Sequence, residues 1–245
     1  ALLSLAIISV VGATAVSTSA EARERQDRKS SQKEENRYPD ATREEPKVKG
    51  SPKVQKKLQS MVDAYNKDDF AAARALADEI IATEAATAYD RSVAGQIGSQ
   101  AAYNTDDTAG TIAYLKRAIE ENALDNNSHY QLMYMLAGVQ LQEDQFAEGL
   151  ATLDRYFAET KSQKPEDLVL KGQALYQSER YAEAIPVLKQ AIDSSPEPKD
   201  NWQQLLMASY AEAGQAGEAT KLAESIAAKS PDDKKAQLNL ANVYL

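Results

Sequence analysis

The sequence has 245 residues, of which 27% are charged and 43% hydrophobic, with a net charge of −9, no cysteine and one histidine. The lack of cysteine excludes disulfides, thiol nucleophiles, cysteine-ligated zinc and a bacterial lipoprotein anchor. A single histidine excludes histidine-rich metal sites. The negative charge argues against nucleic acid as the main partner, because binding to phosphates needs clustered positive charge.

The first residues resemble a secretory signal. Residues 1–16 are uncharged and largely apolar, and Ala20-Glu21-Ala22 has the A-x-A pattern that signal peptidase accepts. This predicts a signal peptide over residues 1–22 whose basic beginning is missing. An uncleaved anchor is the alternative, although a spanning helix needs about 20 apolar residues and this run is shorter. Both interpretations predict that the rest of the chain is exported.

Residues 23–53 are predicted to form a disordered, charged linker. Over 21–53, ten residues are basic and eight are acidic, and large apolar side chains are almost absent. Nothing in this composition offsets the entropy that ordering the segment would cost. The linker is a solubilising spacer, a tether, or a charged strip that touches the cell wall or lipid head groups.

The remaining chain repeats every 34 to 38 residues. Short polar turns recur at the same point of each unit, between two apolar-periodic stretches: Asp68-Asp69-Phe70, Asp106-Asp107-Thr108, Glu143-Asp144-Gln145-Phe146 and Ser178-Glu179-Arg180-Tyr181. Each unit is therefore predicted to be a helix, a turn and a second helix, with apolar side chains on one stripe of each helix.

The unit from Pro165 to Pro198 carries a family resemblance. Its small, aromatic and proline positions resemble the tetratricopeptide repeat: Gly172, Tyr181, Ala184, Ala191 and Pro196. In that family, small residues let the two helices approach and the aromatic fills the gap beside them. The resemblance implies an all-α fold, in which hairpins stack into a right-handed superhelical solenoid with a concave inner face.

The same frame predicts five repeats and part of a sixth over residues 54–245. They are expected at 54–91, 92–129, 130–164, 165–199 and 200–233, with a truncated sixth from 234. Pro186 lies inside a second helix, where we expect tolerance or a slight kink. Trp202 is expected in the core. The helix that ends at Leu245 would lack its partner and fray.

A narrower resemblance concerns the periplasmic tetratricopeptide proteins that accompany TonB–ExbB–ExbD systems. It rests on Lys56-Lys57-Leu58, Glu143-Asp144, Ala184-Ile185-Pro186 and the segment 198–206 that contains Asn201-Trp202. The second repeat departs from that pattern at Thr108 and Gly110. The resemblance implies a periplasmic accessory of energy transfer to nutrient receptors, with TonB, ExbB, ExbD or an outer-membrane receptor as partner.

No constellation of catalytic residues is present, and we predict no catalytic residue, metal or cofactor. There is no G-x-S-x-G, phosphate-binding glycine loop, H-E-x-x-H or EF-hand loop. His129 stands beside Ser128 at a helix start, where a surface or capping role is expected. The paired acids could suggest cation sites, but their position before the second helix of each unit favours helix capping.

The inner face is the candidate site for protein binding. Carrying the family's first-helix offsets onto this sequence gives Gln96, Gln100, Tyr103, Asn104, Tyr134, Leu141, Gln142, Gln173, Tyr176, Gln177 and Gln204. Tyrosines and amides offer both donors and acceptors, so they can bind an extended backbone without requiring charge. A solvated surface with no ligand is the competing interpretation.

These observations predict a non-enzymatic, periplasmic scaffold that binds other proteins, as an accessory of a TonB-type uptake system. One alternative is a scaffold or chaperone for the assembly of outer-membrane proteins or cell-wall enzymes. Another is an enzyme whose catalytic domain lies beyond Leu245. Membrane contact is expected only through an uncleaved N-terminus.

Overall fold

The computed structural model describes residues 35–229 and 231–244, which contain eleven α-helices and no strand. The predicted signal peptide and residues 23–34 of the predicted linker lie outside these residues. The helices are α1 Gln55–Tyr65, α2 Phe70–Ala82, α3 Ala88–Tyr103, α4 Thr108–Glu120, α5 Asn126–Gln142, α6 Phe146–Thr160, α7 Pro165–Gln177, α8 Tyr181–Ser194, α9 Asp200–Glu212, α10 Ala216–Lys229 and α11 Lys234–Val243.

The helices pair into five hairpins, α1/α2, α3/α4, α5/α6, α7/α8 and α9/α10, followed by α11. We call the first helix of each hairpin its A helix and the second its B helix. Each helix contacts the next one along the chain, and the A helices of neighbouring hairpins also contact each other at α1/α3 and at α7/α9. The predicted α-solenoid is therefore confirmed.

Two of the predicted repeat boundaries are wrong. The boundaries at 91/92 and 129/130 fall inside α3 and α5, because capping residues start these helices earlier. Thr87 and Asp90 form a capping box at the start of α3, and Asp125 accepts a hydrogen bond from the Ser128 amide at the start of α5. The repeat frame follows the acidic turns inside the hairpins, and these turns do not mark the caps that begin the A helices.

The turn inside each hairpin contains one residue in the left-handed backbone region. These residues are Asp68, Asp106, Asp144, Glu179 and Gly214, with φ between 55° and 73°. The following residue caps the B helix in the first two hairpins, where Asp69 and Asp107 accept hydrogen bonds from the Ala72 and Gly110 amides. The capping prediction is thus correct for Asp69 and Asp107. It is wrong for Glu143-Asp144, since α6 starts after Gln145 without a side-chain cap.

Small residues allow close contact within the hairpins, as the family pattern predicts. Gly172 of α7 packs against α8 so closely that an added Cβ would lie 2.4 Å from Leu188 Cδ2. Ala184 and Ala191 are fully buried on α8. Trp202 is buried, and α8 continues past Pro186 to Ser194, so both expectations for these residues are confirmed.

The predicted end of the linker at residue 53 needs correction. Residues 38–51, which we call the strap, form a non-helical segment with a turn at 39–40. The strap contacts residues at or just before the N-terminal ends of α3, α5 and α7. Tyr38 is buried in the core of the third hairpin, and the Ser51 amide donates to Asp90 Oδ2 over 2.9 Å at the start of α3. A single buried aromatic ring and an arginine with several carbonyl acceptors supply the order that the composition did not predict.

Candidate functional site

The predicted binding residues lie on the A helices α3, α5, α7 and α9, except Asn104, which directly follows α3. Tyr103, Asn104, Gln142, Gln173 and Gln204 are exposed there. Five others are half-buried: Gln96, Gln100, Tyr134, Tyr176 and Gln177, of which Gln177 has its side-chain oxygen buried. We call these ten residues the row.

Leu141 does not belong to the row, and its prediction as a binding residue is wrong. Its side chain is 3% exposed and packs against α6 of its own hairpin. A Cβ placed on Gly149 would lie 2.8 Å from Leu141 Cδ2, so the leucine fills the space that this glycine leaves. The family offsets predicted both Leu141 and the next residue, Gln142, for the inner face. In the structure the apolar Leu141 is buried in the core and the polar Gln142 is exposed.

The row is a surface of amides and phenols with its neighbouring positive charges paired. The helix α5 has no charged residue over its 17 positions. Arg91 and Lys171 are the basic residues of α3 and α7, and α9 has none. Arg91 binds both carboxylate oxygens of Glu121 at 2.7 and 2.8 Å, and Lys171 pairs with Asp154 at 2.8 Å. Both cations therefore turn toward acids that follow or lie on B helices.

Several row side chains are held in place by neighbouring groups. Tyr134 packs against Tyr156 with ring centroids 5.9 Å apart. Burial raises the pKa of Tyr134, so its phenol remains a neutral donor and acceptor at physiological pH. Asn104 Nδ2 donates to the Gln100 carbonyl over 2.9 Å and to Tyr65 Oη over 3.3 Å, which joins the row to α1. Ordered side chains lose less entropy when a ligand binds.

His129 is fully buried, so the expected surface or capping role is wrong. Its ring lies edge-on to Tyr130 at 5.4 Å, and neither ring nitrogen has a hydrogen-bond partner. Burial, with the positive charges of Arg43 and Arg155, lowers the pKa of His129 to about 3. The imidazole is therefore neutral at physiological pH. Among the residues that the structure describes, no group of three or more histidine or acidic side chains could hold a metal ion.

The strap contributes a cluster of polar and aromatic contacts that sequence reasoning missed. Tyr38 lies 5.0 Å from Tyr130 and 6.0 Å from Tyr156 between ring centroids, and Arg43 binds the turn between α4 and α5. One signal was available: Tyr38-Pro39 is an aromatic followed by proline inside a segment that otherwise lacks large apolar residues. Proline favours an extended residue before it, as in many bound linear peptides.

Comparisons with known proteins agree with this architecture. A family model described as "Tetratricopeptide repeat-like domain" matches residues 2–212. The solved structure of YrrB, described as a TPR protein with an unusual peptide-binding site, is 15% identical, with a TM-score of 0.61 over 78% of this chain and 92% of its own. Characterised protein sequences give no significant match.

Two further solved structures show the same fold. MamA is 14% identical, with a TM-score of 0.58 over 74% of this chain and 94% of its own. A tetratricopeptide repeat protein from Parabacteroides merdae is 12% identical, with a TM-score of 0.59 over 78% of this chain and 72% of its own. No helix within the described part of the chain is both long and apolar enough to cross a membrane.

Proteins built from tetratricopeptide repeats generally act as scaffolds that bind other proteins, and the matched family is not a catalytic one. The match extends over most of the 245 residues. The helical hairpins, the small residues between them and this match together show that the chain belongs to the tetratricopeptide repeat-like domain family.

Proposed function

We propose that the row binds an extended, mainly uncharged segment of a partner protein. The observation that supports this is the combination of exposed amides and tyrosines with paired basic side chains on the same helices. Neutral donors and acceptors complement a peptide backbone and polar side chains. A negatively charged ligand would find no unpaired lysine or arginine on α3, α5, α7 or α9, since Arg91 and Lys171 are occupied.

The proposed setting is the periplasm, where the protein serves as an accessory of a TonB-type uptake system. The support comes from the apolar start of the sequence and from the resemblance at Asn201-Trp202. In this proposal the solenoid holds a segment of TonB, ExbB, ExbD or an outer-membrane receptor. The part of the molecule that makes the contact is the row.

A pull-down from envelope extract tests the site and the setting together. The row variant replaces Gln173 and Gln204 by alanine, and the control variant replaces Gln190 and Gln215, which are exposed amides outside the row. We expect the unaltered protein and the control to recover the same partner, and the row variant to recover at least tenfold less. Equal recovery by all three proteins would show that the row is not the binding site.

The identity of the recovered protein tests the setting separately. TonB, ExbB, ExbD or a nutrient receptor supports the uptake role, together with impaired uptake of iron complexes in a deletion strain. Recovery of outer-membrane assembly factors or cell-wall enzymes, with normal uptake, would support the scaffold alternative. Because the row lacks unpaired basic groups, raising the salt from 0.15 to 0.5 M should change the recovery little, in contrast to a charge-driven complex.

A further inference from the structure

The strap places one aromatic side chain in a slot at the edge of the third hairpin. The ring of Tyr38 is 9% exposed and packs edge-on against Tyr130 of α5 and Tyr156 of α6. Lys164, the residue just before α7, places its Nζ 4.7 Å from the centroid of the Tyr38 ring. The slot therefore surrounds the ring with aromatic edges and one cation, which is a favourable environment for an electron-rich phenol.

Five residues further along, Arg43 binds the turn between α4 and α5. Its guanidinium donates to the carbonyl oxygens of Asn122 and Leu124 over 3.1 and 2.8 Å. It also donates to the side-chain oxygens of Asn122 and Asn126 over 2.7 and 2.6 Å. These four hydrogen bonds come from all three nitrogens of the guanidinium. The single nitrogen of a lysine cannot reach the same acceptors, so the turn is specific for a guanidinium.

Main-chain contacts fix the strap between and beyond these two side chains. The Thr42 amide donates to the Glu159 carbonyl over 2.8 Å at the end of α6. Asn126 Nδ2 donates to the Arg43 carbonyl over 3.2 Å, and Glu45 Oε1 accepts from the Asn126 amide over 3.1 Å at the first turn of α5. These are the contacts of a bound linear peptide: backbone pairing, two anchoring side chains and a carboxylate at a helix N-terminus.

Besides the 3.5 Å contact between Tyr156 Oη and Tyr38 Oη, the walls of the slot have hydrogen bonds that do not involve the strap. Tyr156 Oη donates to Asp167 Oδ2 over 2.7 Å, and Ser162 Oγ donates to the same oxygen over 2.5 Å. Thr160 Oγ1 donates to the Tyr156 carbonyl over 2.8 Å. The slot should therefore keep its shape without its present occupant.

The middle of the strap is exposed to solvent and separates two groups of contacts. Residues 47–50 are exposed, and Val48 has 43% of its surface in solvent. After them, Gly50 and Ser51 contact Asp90 at the start of α3, far along the chain from the slot. The contacts of residues 38–45 thus form one cluster, joined to the first hairpin by a short exposed connection.

We propose that the slot is a second peptide-binding site, occupied by the chain's own residues 38–45 and able to release them. Its ligand class is a linear segment with an aromatic residue five positions before an arginine. In this proposal the strap blocks the slot while it is bound. When the strap dissociates, the slot can bind another segment of this pattern. The inference does not depend on what the row binds.

The first experiment offers the slot a free copy of its own ligand. The double variant Tyr38→Ala/Arg43→Ala empties the slot, and a fluorescent peptide of residues 35–46 is titrated by anisotropy against it and against the unaltered chain. We expect the variant to bind at least tenfold more tightly, because the attached strap competes at an effective concentration of about millimolar in the unaltered chain. Peptides with Tyr38→Ala or Arg43→Lys should lose this binding.

Equal, weak binding to both proteins, with unchanged helix content by circular dichroism, would overturn the proposal. A variant that loses its helix content cannot report on the slot, so hydrogen exchange on the unaltered chain provides the second measurement. The Thr42 amide should exchange at least tenfold faster than the amide of Ala184, a buried residue of α8, if the strap dissociates on its own. Exchange of Thr42 at the rate of global unfolding would show that the strap is a permanent part of the fold.

Discussion

The hydroxyl of Tyr156 on α6 donates to Oδ2 of the buried carboxylate of Asp167 on α7, over 2.7 Å. This bond joins the third hairpin to the fourth at the edge where the A helices begin. Burial and the negative charge of Asp167 raise the pKa of Tyr156, so the phenol keeps its proton and remains a donor.

Replacing Tyr156 by phenylalanine should lower the free energy of unfolding by about 1–3 kcal/mol, because the buried Asp167 loses one donor and retains Ser162 Oγ, and the 3.5 Å contact with Tyr38 Oη is lost as well. Urea unfolding followed by circular dichroism measures this. The matched control is Tyr103→Phe on α3, whose hydroxyl belongs to an exposed side chain. We expect the control to change stability by less than about 0.5 kcal/mol. Equal effects in the two variants would contradict the role of the Tyr156–Asp167 bond.

His129 should make the domain less stable in mild acid. Its pKa is lowered to about 3 in the folded state, whereas an unfolded chain has a histidine pKa near 6.5. Below pH 6.5 the unfolded state therefore binds a proton that the folded state does not. Stability is fully present above pH 6.5 and falls toward pH 3, with a slope approaching about 1.4 kcal/mol per pH unit.

The variant His129→Phe tests this, because it removes the titrating group and keeps a planar ring. Its unfolding free energy should depend less on pH between 6.5 and 4 than that of the unaltered protein. Carboxylates titrate in both proteins, so the difference between the two curves isolates His129. At pH 7.5 the variant should be at least as stable, since neither ring nitrogen has a partner to lose. Parallel curves would exclude His129 as the source of acid sensitivity.

Two glycines of A helices should respond to alanine in opposite directions. At Gly172 a Cβ would lie 2.4 Å from Leu188 Cδ2 and 2.6 Å from Cγ, and Leu188 is fully buried. We expect Gly172→Ala to destabilise the protein by about 1–3 kcal/mol through overpacking. At Gly138, on α5, a Cβ meets no atom within 4 Å.

Gly138→Ala is therefore the control, and it should stabilise the protein by up to about 1 kcal/mol through helix propensity. Thermal unfolding of both variants provides the comparison. A loss of stability in Gly138→Ala equal to that in Gly172→Ala would show that backbone effects, and not the contact with Leu188, dominate at both sites.

Replacing a non-glycine turn residue that has a left-handed backbone by glycine should remove strain and stabilise the hairpin. Glu179 has φ of 59°, a conformation that costs an ordinary residue about 1 kcal/mol and costs glycine little. We expect Glu179→Gly to raise the unfolding free energy by up to about 1 kcal/mol. Gly214 occupies the equivalent turn with φ of 73°, and Gly214→Ala should lower stability by a similar amount. Two changes of the same sign would contradict this explanation.

The repeats could be predicted from the order of amino acids alone, because hairpin formation depends on local patterns. Apolar spacing, the small residues Gly172, Ala184 and Ala191, and the recurring acidic turns all act within one unit and its neighbour. Stacked hairpins contact little else, so a pattern read along the chain predicts most of the packing. The fold class and most helix pairs followed from these features, as did the burial of Trp202.

The features that join distant parts of the chain depend on the complete fold and could not be predicted from local patterns. Residues 38–51 have the composition of a flexible linker, yet Tyr38 and Arg43 bind residues about 80 to 120 positions away in sequence. The burial of Leu141 and His129 likewise depends on their angular position around their helix. A shift of one residue along a helix turns a side chain by about 100°, and so decides whether it faces the core or solvent. Composition averages over such single contacts, whereas the free energy that orders an extended segment comes from a few of them.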